Sequence, residues 1–410
     1  MRLPNKVSDL IATLNNGGYE AYVVGGCVRD SLMGRIPEDF DITTSATPAQ
    51  IKALFRRTAD TGVAHGTVTV LLGDRSFEVT TFREDGDYLD NRRPNYVTFT
   101  TSLTDDLSRR DFTMNAVAFH PDTGYVDPFG GTDDIRVGCI RCVGDPSRRF
   151  NEDALRMLRA VRFSAQLGFV IAPPTFDAIC CHAHTLANVS AERIRIEFIK
   201  LLMSDGSDKF QDLLTSGLWK AVDPSSFPHF LDEFCRVQPI IASCVSNLSN
   251  RLSLLFMRLD SSDVMRLLKL LKFDNLTQKT VIILVRGIHQ QFGVDAYSIR
   301  KALGIFGRDC LENILYLQKL IAEDASDDQT LDIIDEISRQ IILIHENNDA
   351  YTLGALAVNG NILKQLGLAE GAQIGAALNY LLDEVCRDPA ANNSKQLTEL
   401  ALKFFNNNSL

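Results

Sequence analysis

Asp39-Phe40-Asp41 sets two carboxylates one residue apart, and on an extended strand alternate residues share a face. Hard oxygen ligands paired in this way suit Mg²⁺ that also bridges the phosphates of a nucleotide. Shortly before them runs Val24-Gly25-Gly26-Cys27-Val28-Arg29-Asp30. A double glycine after an apolar strand lets backbone N–H groups approach a polyphosphate with no Cβ in the way, and Arg29 adds positive charge. Glu78, between Phe77 and Val79, is a candidate third carboxylate on a later strand. A Gly-Gly turn or an Asp-x-Asp alone is most often a plain turn or a solvated loop. Their order and close spacing carry the signal.

Further on stands Arg109-Arg110-Asp111-Phe112-Thr113-Met114-Asn115-Ala116. Arg110 could meet a triphosphate, and Asp111 could accept from a ribose hydroxyl, the group that marks a ribonucleotide. The same pair could instead cap a helix. Glu152 to Arg162 reads as one helix, on which Asp153 and Arg156 are neighbours and Arg159 continues the row. Cytosine and adenine share an exocyclic amine beside a ring-nitrogen acceptor. A carboxylate can accept from that amine while a guanidinium donates to the ring nitrogen. Uracil and guanine present the opposite pattern and leave polar groups unpaired. Arg159 and Arg162 would serve phosphates or hold the other two in place. The competing reading is a routine ion pair between Glu152 and Arg156, four apart on the same helix.

These residues need elements to position them. Up to about residue 143, short β-type runs (Ala21 to Val24, Thr67 to Leu72, Phe77 to Phe82, Ala116 to Phe119) alternate with Gly, Pro, Asn and Asp punctuation, after a helical opening segment. From about Asn151 the periodicity is helical, with Leu155, Leu158, Val161 and Ala165 on one stripe. Pro173-Pro174 is expected to break that helix. Later helices are expected over Ala191 to Met203, Asp263 to Leu271 and Leu331 to His345. Arg83 to Pro94, with Tyr88, Asp90 and Arg92-Arg93 among charged residues, reads as a mobile solvated loop.

Composition bounds the class. With 410 residues, 45% hydrophobic and 23% charged, the chain suits a globular protein of several domains. It shows no leader and no long apolar run, and its nine cysteines form no framework, which together predict a cytoplasmic protein away from membranes. The net charge of −10 argues against nucleic acid, yet Arg141, Arg148, Arg149, Arg156, Arg159 and Arg162 make a local stripe that could hold phosphates. Cys139-x-x-Cys142 with Cys180-Cys181-His182 has fragments of zinc spacing. On a strand, though, residues three apart face opposite ways, and buried thiols are the better reading.

Taken together, Gly-Gly-Cys-Val-Arg-Asp with Asp39 and Asp41, the Arg-Arg-Asp-Phe-Thr-Met-Asn-Ala segment, Asp127-Pro-Phe-Gly-Gly with Asp134, Glu152-Asp-Ala-Leu-Arg-Met-Leu-Arg and Ala191-Glu-Arg-Ile-Arg-Ile-Glu-Phe resemble, in order, motifs A to E of the class II tRNA nucleotidyltransferases, the CCA-adding enzymes of the tRNA nucleotidyltransferase/poly(A) polymerase family. The resemblance spans residues 20 to 205 and is only loose beyond. It implies an α+β fold: a polymerase-β-like nucleotidyltransferase head (1–143), then an all-α neck (144–205), body (206–290) and tail (291–410), seahorse-like, with the tail on tRNA. It implies template-independent addition of C, C and A to the tRNA 3′ end from CTP and ATP, by two-metal in-line transfer that releases pyrophosphate. By motif position Asp39 and Asp41 would bind Mg²⁺, with Glu78 completing the catalytic carboxylates. Gly26, Arg29 and Arg110 would hold the triphosphate, and Asp111 the ribose. Asp153 and Arg156 would read the base, with Arg159 and Arg162 completing the nucleotide site. No obligate protein partner is inferred. The alternatives are A-adding, CC-adding or poly(A) activity and, more remotely, a non-catalytic RNA-binding paralogue.

Overall fold

The computed structural model describes residues 1–86, 97–245, 247–365 and 371–408. The chain divides into two units, residues 1–235 with 270–272, and residues 236–269 with 273–410.

The first unit opens with helix α1 (Asn5–Asn16), whose Val7, Leu10, Ile11 and Leu14 recur at helical spacing and are all buried. They pack on a seven-stranded sheet ordered β3-β4-β5-β2-β1-β8-β9. Its strands are β1 (Ala21–Val24), β2 (Asp41–Thr44), β3 (Thr58–Gly62), β4 (Thr67–Leu72), β5 (Arg75–Thr81), β8 (Ala118–His120) and β9 (Gly124–Val126). Two further strands, β6 (Arg83–Asp85) and β7 (Val97–Phe99), pair only with each other. Within the large sheet β2 runs parallel to β5, and every other pairing is antiparallel. Phe77, Val79 and Thr81 of β5 point into the core, so Glu78 between them faces the other side. Helices α2 (Gly26–Leu32), α3 (Pro48–Leu54), α4 (Leu103–Ser108) and α5 (Gly131–Val137) complete the mixed part. Then come α6 (Pro146–Glu152), α7 (Leu155–Leu167), α8 (Pro173–His182) and α9 (Ala191–Leu202).

The second unit is helical among its described residues. Asp274, Asp295 and Asp327 accept from the backbone N–H of Thr277, Ser298 and Thr330 at 2.9, 3.0 and 3.1 Å. Part of the acidic excess therefore consists of helix caps. One core gathers Ile299, Leu303, Leu311, Leu315 and the Ile334-Ile337-Ile341-Ile344 stripe; a second gathers Leu363, Ala377, Leu381, Val385 and Leu397. No described helix is long and apolar enough to cross a membrane.

The α+β head followed by helices is the architecture expected. Three local expectations were not met. Asp39 precedes β2 and is not on it. The helix α7 stops at Gly168, in a left-handed C-cap, before the prolines are reached; Pro173 instead opens α8, where a missing N–H costs nothing. Glu152 to Arg162 is not one helix: α6 ends at Glu152, Asp153 is extended (φ −141, ψ 103), and α7 starts at Leu155.

Candidate active site

Val24 pairs with Asp41 across β1 and β2, so the Gly25-Gly26 turn leaves the sheet where Asp41 enters it. Ile42 pairs with Val79 across β2 and β5, which brings Glu78 beside Asp41 on the neighbouring strand. Asp39, Asp41 and Glu78 line one cavity of about 590 Å³, together with Asp74 and Arg75. Desolvation raises the Asp41 carboxyl above its ordinary range; Arg110 opposes this and the charge of Asp39 adds to it. Two carboxylates that repel each other in this way fit a divalent cation between them. Among the described residues no three or more His, Cys, Asp or Glu side chains converge as a metal cage. The donor set fits Mg²⁺, which keeps several waters and shares its shell with substrate phosphates.

Gly25 has φ 82, and a Cβ there would lie 3.1 Å from Arg110 Nη1 and 3.8 Å from Asp41 Oδ2. Glycine is needed twice, for the left-handed backbone and for the close approach. Gly25→Ala is expected to lower the melting temperature, by the equivalent of about 1–3 kcal/mol for the sparsely populated backbone conformation alone, and to raise the nucleotide KM by displacing Arg110. Thermal melts and steady-state kinetics check both; an unchanged KM removes Arg110 from the binding role.

Arg110 has a partner that the sequence reading missed. Asp106 is buried and accepts from Thr43 Oγ1 at 3.0 Å and from Arg109 Nε and Nη2 at 3.0 and 2.8 Å, with Arg110 Nη2 at 3.6 Å. Burial works against its charge, but Arg109 and Arg110 hold the carboxyl below its ordinary range. One anion thus ties the strand carrying Asp41 to the arginine beside Gly25.

A second network follows. Arg29 Nη1 donates to Asn115 Oδ1 at 2.8 Å, Asn115 Nδ2 donates to Asp111 Oδ1 at 3.1 Å, and Arg159 Nε and Nη2 donate to Asp111 Oδ2 at 3.0 and 2.7 Å. Burial alone would raise the Asp111 carboxyl, yet Arg159 and Asn115 hold it well below the usual range. Arg162 Nε donates to Glu197 Oε2 at 2.8 Å, and Arg159 Nη1 lies 3.6 Å from Glu197 Oε1. The guanidiniums of Arg29, Arg159 and Arg162 surround the Phe163 ring at 5.1, 5.3 and 3.5 Å from its centre.

Asp153 and Arg156 are not paired side by side on a helix as expected. Asp153 Oδ1 accepts from the backbone N–H of Leu155 at 3.1 Å, and Oδ2 from Arg193 Nη2 at 2.7 Å. Arg156 donates to Glu152 Oε2 at 2.7 Å, to the Arg149 carbonyl at 3.2 Å and to the Arg109 carbonyl at 2.9 Å. The Glu152–Arg156 ion pair thus exists. The arginine stripe is largely neutralised from within: Arg141 pairs with Asp134, Arg148 and Arg149 with Glu152, and Arg159 and Arg162 as above. Of the loop, Arg83 begins β6, while Tyr88, Asp90, Arg92, Arg93 and Pro94 lie outside the described residues.

Residues 21–141 match the Poly A polymerase head domain, and residues 168–228 match the "Probable RNA and SrmB- binding site of polymerase A". The CCA-adding enzyme of Levilactobacillus brevis is 38% identical over 396 residues, 95% of each chain. The chain belongs to the CCA-adding enzyme family. The Lactobacillus johnsonii CCA-adding enzyme is 35% identical over 95% of each chain. The crystal structure of the Bacillus stearothermophilus CCA-adding enzyme in complex with CTP superposes with TM-score 0.82 and 30% identity over the whole of both chains. The head of this family member is accordingly a nucleotidyltransferase domain. Besides Asp106, the sequence reading missed Asn115, Arg193 and Glu197 as partners of site residues. Arg193 and Glu197 lay in a quoted motif, and their four-residue spacing on α9 was the available signal.

Proposed function

We propose that the chain adds C, C and A to the 3′ end of tRNA from CTP and ATP with Mg²⁺, in a cytoplasmic setting. The observation that carries this is the cavity lined by Asp39, Asp41 and Glu78, with the Gly25 turn close to both Asp41 and Arg110, in a chain nearly coextensive with relatives named for that activity. Nine cysteines without disulfides support a reducing compartment.

In this reading Asp39 and Asp41 hold the metal, and Glu78 adds a third negative charge at the same cavity. Bound there, Mg²⁺ supplies a Lewis acid that neutralises phosphate charge and acidifies the attacking 3′-hydroxyl. Gly26, Arg29 and Arg110 hold the triphosphate. Asp111, fixed by Arg159 and Asn115, accepts from the ribose hydroxyl. Asp153 and Arg156 select cytosine and adenine over uracil and guanine, with Arg159 and Arg162 completing the nucleotide site. Residues 1–143 thus carry the chemistry, 144–205 the base choice, 206–290 the helical body and 291–410 the tRNA contact.

The test is extension of tRNA lacking CCA, tRNA ending in CC and generic RNA, with each nucleotide alone and in pairs. C, C and A on the first substrate support the reading; no addition to the first with A added to the second, arrest after CC on the first, or a long A tail on RNA would each replace it by a partial or poly(A) activity. The intact Arg83 to Pro94 segment favours full addition. Shortening it is expected to leave CC addition and stop the terminal A; equal loss of all three additions would assign it a general folding role.

A further inference from the structure

Helix α9 reaches the proposed base-reading carboxylate through one residue. Arg193 Nη2 lies 2.7 Å from Asp153 Oδ2, on the oxygen that the Leu155 N–H does not hold. Asp153 lies between α6 and α7 as the C-cap of the first, and its carboxylate is held by these two contacts. The Leu155 N–H restrains one oxygen, and the arginine sets the rotation of the carboxylate about it. The other end of the guanidinium, Nη1, is shielded from solvent with no hydrogen-bond partner.

We infer that Arg193 is a positioning residue for nucleotide selection: it holds Asp153 in the orientation that accepts from the exocyclic amine of cytosine or adenine. The inference rests on the base reading proposed above. Without Arg193 the carboxylate rotates, and its acceptor no longer meets the amine at a fixed angle. Discrimination between an amine and a carbonyl at that place then falls. Four residues along the same face, Glu197 holds Arg159 and Arg162, so α9 presents its partners to the base reader and to the arginine that grips Asp111.

The experiment is a double-mutant cycle on the full chain with tRNA lacking CCA, reading kcat/KM for CTP and for UTP. Arg193→Gln is expected to lower the CTP-over-UTP ratio about tenfold, whereas Arg193→Lys, which keeps the charge, retains most of it. In an Asp153→Ala background Arg193→Gln should add no further loss, because its effect passes through that carboxylate. A role in stability alone would reduce CTP and UTP turnover together and leave the ratio where it was. Such an unchanged ratio in Arg193→Gln, with Asp153→Ala shifting it, overturns this inference alone. An equal loss of ratio in both backgrounds overturns it too, since Arg193 then acts by another route. If Asp153→Ala itself leaves the ratio unchanged, the base reading falls, and this inference with it.

Discussion

Replacing Asp39 or Asp41 with alanine is expected to abolish incorporation of C and A alike while the melting temperature stays near that of the parent. Both carboxylates line the same cavity, where desolvation raises the Asp41 carboxyl, Arg110 opposes this and the charge of Asp39 adds to it. Removing one relieves repulsion in the free protein, so the fold should not suffer. Catalysis should. Metal assistance contributes several kcal/mol of transition-state stabilisation; at about 1.4 kcal/mol per decade this is a loss on the order of a thousandfold. Single-turnover extension and magnesium titration check the prediction. A folded variant with near-normal turnover would remove these residues from the chemistry. Glu78, exposed on the adjacent strand, should show a smaller loss if it only adds charge and an equal one if it is a ligand.

The second large effect concerns base choice. Asp153→Ala removes the acceptor for the exocyclic amine and should lower the efficiency of CTP and ATP together, while UTP or GTP enters relatively more often. A mismatch at a buried polar site is worth roughly 1–3 kcal/mol, or about one to two decades of discrimination. Asp153 is the cleaner probe of the two. Arg156 is buried against Glu152 and two main-chain carbonyls, so Arg156→Ala orphans several groups and should cost stability as well. Competition between correct and incorrect nucleotides, read by sequencing the extended tRNA, gives the ratio directly. Preference over UTP and GTP that survives both substitutions would leave Glu152–Arg156 as an ion pair of the neck and nothing more.

The sequence made the head legible where local chemistry is decisive. The apolar run Ala21 to Val24, the double glycine and the alternation through Glu78 each correspond to a strand, a turn and a face. The first long helical segment was misread at both ends for local reasons. Its start looked continuous because Asp153 and Ala154 do not break periodicity, though the backbone turns there. Its end was assigned to prolines, although Gly168 offered the left-handed cap earlier. Which partner each site residue meets was not legible, even where spacing marked a shared face, as for Arg193 and Glu197. Asp106 with Thr43, Asn115 with Arg29 and Arg193 with Asp153 are contacts between segments far apart in the chain. Spacing within one helix can mark a shared face but not the residue that the face meets. The arginine stripe shows the cost of that blindness: charge counted along the chain suggested a phosphate track, and the folded molecule closes most of it on its own carboxylates.

The crowding at Gly25 also bears on how this protein can change over generations. Every amino acid one base away from a glycine codon carries a Cβ, and at this position that atom meets Arg110. A substitution here is strained by the backbone and asks Arg110 to give way by a few tenths of an ångström. The arginine is in turn held through Asp106 to the strand that carries Asp41. A change at the turn is therefore felt at the arginine and, through it, at the carboxylate, and the three are expected to vary together across generations.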